Sequence, residues 1–322
     1  MSFSTSMICR MHLLMVFAGT ATLLTPHAAW SMKPEYSISD GEVRIANVST
    51  ECPVIYDNDF WVDVPDAAYI WAKASLGECK LRGNIVTRCT FGWRERYAHE
   101  LDQQVEEAQR LLRLAKDSGL TNIPEPTIGA TVALQPPASG KVEDTQFERS
   151  AGSELIVQEA HKASPERPLL VFVGGSCTTV ASAYLSDPSI ADRIVVFQID
   201  GGVYNGSDEW AWKITMERCR FVNWARGYFW DRIHEWNPLR FDDLPRNPLC
   251  DLLREYAHGD LAKSNQWGDG AWIFQLYAPQ CVTKLEDYDG QAVTVPRDGT
   301  NIPAIEQEFF QTMTDSKLFR VK

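Results

Sequence analysis

No C-x-x-C pair, no G-x-G-x-x-G turn and no internal repeat occur in the 322 residues. The first absence argues against a zinc ribbon, the second against the usual dinucleotide cradle. Positive charge is also short: 31 Lys and Arg stand against 43 Asp and Glu, a net charge of −12. Such a surface disfavours nucleic acid and anionic membranes and suits an enzyme of small molecules. Nor is there a run long enough to cross a bilayer with ease, since the apolar stretch Leu13 to Leu24 falls short of that length. Arg10 precedes that stretch and the small residues Ala28-Ala29-Trp30-Ser31 follow it, which reads as a signal peptide cut after Ser31. The expected organisation is therefore a leader, 1–31, and a single domain, 32–322, that is secreted or periplasmic and free of the membrane once the leader is gone. The leader's only charged residue is Arg10, so its loss makes the chain one unit more acidic.

Of the 8 cysteines, Cys9 leaves with the leader. An exported chain can form disulfides. Cys79 and Cys89 bracket a strand-like segment, while Cys219, Cys250 and Cys281 lie in the C-terminal half. The remaining count is odd, which leaves a thiol unpaired or paired between chains, and the connectivity is open.

What the chain does have is an aspartate-rich stretch, Val54 to Ala74. A short apolar run, Val54-Ile55-Tyr56, feeds into Asp57, Asp59, Asp63 and Asp66, and a helical pattern follows with Ala67, Ile70, Trp71 and Ala74 on one face. Asp63 suits an N-cap and Asp66 the positive end of the helix dipole. Turn chemistry accounts for one or two of the four carboxylates. Four of them at the carboxyl end of a strand repel one another unless a cation or protons intervene, and that end is where open α/β sheets place their ligands.

Further along, the pattern alternates. Gly77 stops the first helix, Leu81 to Cys89 reads as a strand, and a helix runs from about Tyr97 to Gly119. A Pro-rich loop with a short strand at Ile128–Leu134 leads to a helix over Ser150 to Ala163. Leu169 to Val173 and Ile194 to Ile199 are strands, separated by a helix through Val180 and Leu185. The pattern loosens from Val203 to Pro248, where tryptophans crowd. Asn247-Pro248 then starts a helix, Ala271 to Ala278 is apolar, and a hairpin with Val282, Val293 and Val295 precedes a helix near Ile305–Met313. The expected fold is α/β: an open, mainly parallel sheet with helices on both faces.

D-N-D-F-W-V-D-V-P-D-A, from Asp57 to Ala67, resembles the opening aspartate cluster of the nucleoside hydrolase family in its longer form. Ser150-Ala151-Gly152-Ser153-Glu154-Leu155-Ile156 is similar to that family's S-A-G-x-E-L-I, and Asp187 to Arg193 reads D-P-S-I-A-D-R as the family's does. Val173 to Ala181 sits where the family has x-G-P-L-T-N-x-A, Gly201-Gly202 matches its M-G-G, and Glu235-Trp236-Asn237 resembles its E-F-N. The likeness spans roughly residues 52–280.

The resemblance implies a Rossmann-like core and a Ca²⁺ ion held by Asp59, Asp66, Asp269 and the carbonyl of Gly174. It further implies hydrolysis of the N-glycosidic bond of a nucleoside or related N-riboside, by a calcium-bound water with Asp59 as general base. Asp63, Trp93, Glu235 and Asn237 fall at sugar-contact positions, and Asp57 at a structural acceptor for loop amides. A homo-oligomer is the family's habit. Departures stand beside these matches. Pro65 replaces a sugar-binding aspartate and Phe60-Trp61 a glycine-containing pair. Trp93 stands in place of an Asn, Thr179 replaces the Asn of L-T-N, and Gly268 replaces a His. Leaving-group activation is thus unassigned, with Trp267 and Trp272 available to stack on a base. Two rivals follow: a binding protein that keeps fold and metal without turnover, and a haloacid-dehalogenase-type phosphatase using Asp57, Asp59, Ser176, Lys263 and Asp269.

Overall fold

The computed structural model describes residues 33–60, 64–88, 101–199, 208–224, 237–258, 271–288, 290–296 and 298–319. The expected leader, Asp63, Trp93, Glu235, Lys263, Trp267, Gly268 and Asp269 lie outside these residues.

A hairpin of Tyr36–Ser39 (β1) and Glu42–Ile45 (β2) comes first, turned by Asp40 and Gly41 at φ 53° and 76°. An Asp-Gly pair in this conformation matches the twist of its flanking strands. The expected first strand and helix are Pro53–Asn58 (β3) and Val64–Ser75 (α1), with Pro65 in the first turn, where a missing N–H costs nothing. Gly77, at φ 77°, ends the turn after α1. Lys80–Val86 (β4), Leu101–Asp117 (α2) and Pro126–Ile128 (β5) follow. The strand expected at Ile128–Leu134 is thus displaced toward the prolines.

Ala151–Lys162 (α3) starts on a reciprocal cap, with Ser150 Oγ accepting from the Ser153 amide and Ser153 Oγ from the Ser150 amide. Leu169–Val173 (β6), Thr178–Ser186 (α4) and Ile194–Ile199 (β7) stand where expected. The loosened segment contains Glu209–Arg218 (α5) and Arg220–Trp224 (β8). Pro248–His258 (α6) is capped by Asn247 Oδ1, which accepts from the Cys250 amide at 2.9 Å. Ala271–Tyr277 (α7), Glu286–Tyr288 (β9), Ala292–Val295 (β10) and Ile302–Met313 (α8) complete the chain. Val282 bridges to Thr300 rather than joining the β9–β10 hairpin.

Eight strands form one sheet in the order β5-β4-β3-β6-β7-β8-β10-β9. Every neighbouring pair is parallel except β9 on β10. Period-two alternation divides its side chains between two cores. Leu170 and Phe172 face α1, α2, α6, α7 and α8, whereas Leu169, Val171 and Val173 face α3, α4 and α5. Burial on both faces explains why β6 reads as an unbroken apolar run. The family-like motif at Asp187 is structural: its carboxylate caps the 3₁₀ turn Pro188–Arg193 and lies 2.7 Å from His161 Nε2. Among the described residues no helix is long and apolar enough to cross a membrane.

The disulfide expectation is corrected by the cysteines. Cys52, Cys79, Cys177, Cys219, Cys250 and Cys281 are all free thiols and all buried. Burial pushes the thiols of Cys79 and Cys250 up to about 11 and that of Cys219 up to about 12. They are apolar filling rather than nucleophiles.

Candidate functional site

The chain runs outward from β3 to β4 and β5, then returns to lay β6 on the other side of β3. Between β3 and β6 the order therefore reverses, and the crevice beyond their carboxyl ends is where this architecture binds ligands. The described residues there include Asp57 and Asn58 of β3 with Asp59 just after it, and Gly174-Gly175-Ser176 just after β6.

The two strand ends are stitched together, with the Gly174 amide donating to the Asp57 carbonyl at 2.8 Å. Glycine suits position 175, because a Cβ would lie 2.4 Å from Thr87 Cγ2; the same Cβ would be in ordinary contact, 3.9 Å, with Asp59 Cβ. The backbone of Gly175 thus stands beside Asp59. Phe60 has φ 55° and donates its amide to Asn58 Oδ1 at 2.6 Å. That left-handed conformation carries a strain of order 1 kcal/mol in a bulky residue. Packing offsets it, since the buried ring stacks 6.2 Å from Trp71 and meets Tyr56 edge-on at 5.6 Å.

Asp57, Asp59 and Asp66 are buried. Among the described residues the Asp57 carboxylate has no hydrogen-bond partner at either oxygen. Burial first, and the Asp59 charge second, push its carboxyl well above the usual carboxylate range. Asp66 occupies the first turn of α1, where its charge favours the helix dipole. Among the described residues no three of His, Cys, Asp and Glu are grouped closely enough to hold a metal ion. Asn237 is exposed and caps the 3₁₀ turn Pro238–Asp243, its Oδ1 accepting from the Leu239 amide at 3.1 Å.

A second polar group supports the crevice, and the aspartate pattern gave no sign of it. Thr178 Oγ1 donates to Asp208 Oδ2 at 2.6 Å and lies 2.9 Å from Ser176 Oγ. Asp208 also accepts from the amides of Leu134 and Ala211, each at 2.9 Å. Thr179, the residue in place of the family's Asn, accepts from the Ala130 amide at 3.0 Å. Gln198 joins in, its Nε2 donating to the Gly175 carbonyl and its Oε1 accepting from Cys177 Sγ, both at 3.0 Å. The one local signal was an acid immediately before an apolar helix pattern. Asp208→Ala strands the Leu134 and Ala211 amides and the Thr178 hydroxyl, and is expected to cost about 2–4 kcal/mol. Urea unfolding measures that loss, and faster proteolysis between residues 129 and 134 locates it.

No protein-family model matches the sequence, and no curated protein matches it. Solved structures do. A purine-preferring ribonucleoside hydrolase from Gardnerella vaginalis superposes with a TM-score of 0.58 at 15% identity, covering 83% of this chain and 100% of that one. A nucleoside hydrolase-related protein from Saccharophagus degradans, associated with carbohydrate metabolism, gives 0.54 at 16%, covering 84% and 73%. The type III effector XopQ, solved with adenosine diphosphate ribose, gives 0.54 at 10%, covering 83% and 95%. At these identities the likeness is one of architecture, and the chain carries the nucleoside hydrolase-like fold.

Proposed function

We propose that the chain hydrolyses the N-glycosidic bond of a nucleoside or related N-riboside. The observation that carries this reading is the pair Asp57–Asp59, buried beside Gly175 at the strand-order reversal, with no hydrogen bond from the described residues to either oxygen of Asp57. A buried carboxylate without a partner is costly unless it meets a cation or keeps a proton. An all-oxygen set of this kind suits a hard ion, so the site chemistry fits Ca²⁺. Asp59, Asp66, Asp269 and the Gly174 carbonyl would hold it. When bound, the ion supplies positive charge that acidifies a water and orients sugar hydroxyls.

The chain's own residues supply the rest. Asp59 takes the proton of the attacking water at its carboxylate. The water adds to the anomeric carbon as the bond to the base breaks, through an oxocarbenium-like state. Gly175 keeps the backbone of the β6 loop against Asp59, and Asp208, through Thr178, holds Ser176 in that loop. Export behind a leader ending at Ser31 belongs to the same proposal.

A second reading has its own observation. Pro65 sits in the first turn of α1 where the resembled family offers a sugar-binding carboxylate, which favours ligand binding without turnover. The adenosine diphosphate ribose held by XopQ indicates the kind of N-riboside such a protein would retain. A reducing-sugar assay against a panel of nucleosides separates the two. Sugar release that stops with chelator and returns with Ca²⁺ is the expected result. No release from any nucleoside, with saturable binding retained, overturns the hydrolase.

A further inference from the structure

Gly174 and Gly175 follow β6 with no Cβ on either, which makes this a permissive stretch of backbone. The peptide planes on both sides of it are nevertheless anchored. The 173–174 plane is fixed where the Gly174 amide donates to the Asp57 carbonyl at 2.8 Å. The 175–176 plane is fixed where the Gly175 carbonyl accepts from Gln198 Nε2 at 3.0 Å. Peptides are planar, so one plane remains between these anchors, and it carries the Gly174 carbonyl. We infer, on the reading of Gly174 as an ion ligand, that Gln198 is a positioning residue which aims the Gly174 carbonyl at the cation.

Gln198 is suited to this by where it stands and by how its amide is used. It is the register partner of Val173, the last residue of β6. Period-two alternation puts its side chain on the face of Val196, toward the core under α3, α4 and α5. Only 1% of the residue is exposed, and an amide buried there is costly unless both its ends are bonded. Both are bonded, and to one turn of chain. Oε1 accepts from Cys177 Sγ at 3.0 Å, two residues beyond the carbonyl that Nε2 holds. Burial, as the main cause, pushes the Cys177 thiol well above its ordinary range, so it keeps the proton it donates. Reversing the amide would set its oxygen against the Gly175 carbonyl, so the orientation is unique.

Packing alone does not call for glutamine at this position. An apolar residue of similar size would suit that core and bring no polar group to satisfy. The amide instead braces the turn that offers the carbonyl, without touching the ion itself. Removing an outer contact of this kind typically costs about 10- to 100-fold in metal affinity.

Calorimetric titration of the full chain with Ca²⁺ tests this, beside urea unfolding in chelator. Gln198→Met keeps the length of the side chain and removes the donor. It should weaken Ca²⁺ binding by at least about tenfold. With chelator present, the 174–177 amides should exchange hydrogen faster than in the parent chain. Gln198→Leu should behave alike and serves if the first variant does not fold. Affinity within about threefold of the parent, or unchanged exchange at 174–177, makes Gln198 a packing residue and overturns the inference, whatever happens to urea stability. A parent chain that takes up no Ca²⁺ overturns it together with the calcium-dependent reading beneath it. Unchanged variants of a parent that does bind Ca²⁺ leave that reading intact, so the two failures are told apart.

Discussion

Asp59→Asn is expected to lower sugar release by about 10²- to 10⁴-fold, the range attributed to a positioned general base. The substitution keeps the side-chain shape in a position only 2% exposed. It also removes the like charge that helps push the Asp57 carboxyl upward. The folded state should therefore survive, and the melting temperature in chelator should be equal to or above that of the parent chain. The loss should appear in kcat, because the amide still occupies the space beside Gly175. A variant that keeps the parental kcat would place the base elsewhere. A variant that loses fold and rate together would make Asp59 structural, which the chelated melting temperature distinguishes.

Lys73→Met should be among the more damaging single changes to stability. The Lys73 ammonium is nearly buried, 2.8 Å from Glu308 Oε1 and 2.9 Å from Glu78 Oε2. The Glu308 carboxylate also accepts from the Tyr69 hydroxyl at 2.8 Å. Burial, followed by the charge of Glu308, pushes that phenol well above its ordinary range. The Tyr277 ring lies under the ammonium at 5.1 Å. The interaction thus ties α1 to α8 and α7. Methionine fills the space but leaves Glu308, whose side chain is 14% exposed, without its counter-charge. Uncompensated buried charge of this kind costs about 3–5 kcal/mol, and residual exposure brings the expectation to about 2–4 kcal/mol. Glu78 is half-exposed, so Glu78→Gln alone should cost less than about 1 kcal/mol. The double variant Lys73→Met with Glu308→Gln should recover most of the loss. Urea unfolding of the four chains measures it, and failure of the second substitution to restore stability would show packing, not charge, to be the cause.

Elements were legible where one physical signal dominated. β6 shows as an apolar run because both its faces are covered, and α3 shows through the cap at Ser150 and the stop at Ser164-Pro165. β8 was hidden in the tryptophan-rich segment, since it opens on Arg220 and alternates only briefly. β5 was misplaced by its own prolines: Pro126 is admissible there because the strand is at an edge, where it forgoes a ladder bond at little cost. The β1–β2 hairpin carried a readable Asp40-Gly41 turn that the apolar pattern beside it was too weak to bring out. Local carboxylate density singled out Asp57, Asp59 and Asp66, all of which are buried. Asp208 was not visible, because its partners Thr178 and Leu134 are remote in sequence and meet it only through the fold. The cysteines mislead for a related reason: a compartment permits oxidation, but only proximity makes a bond.

The margins of the sheet govern how copies of this chain can associate. One border is the three residues of β5, beginning with a proline; the other is β9, whose first two residues are Glu286 and Asp287. An incoming strand would meet a missing donor on one side and paired negative charge on the other, the usual deterrents to edge-on growth. Crowded solutions of the chain should therefore resist fibril-like stacking at these two borders.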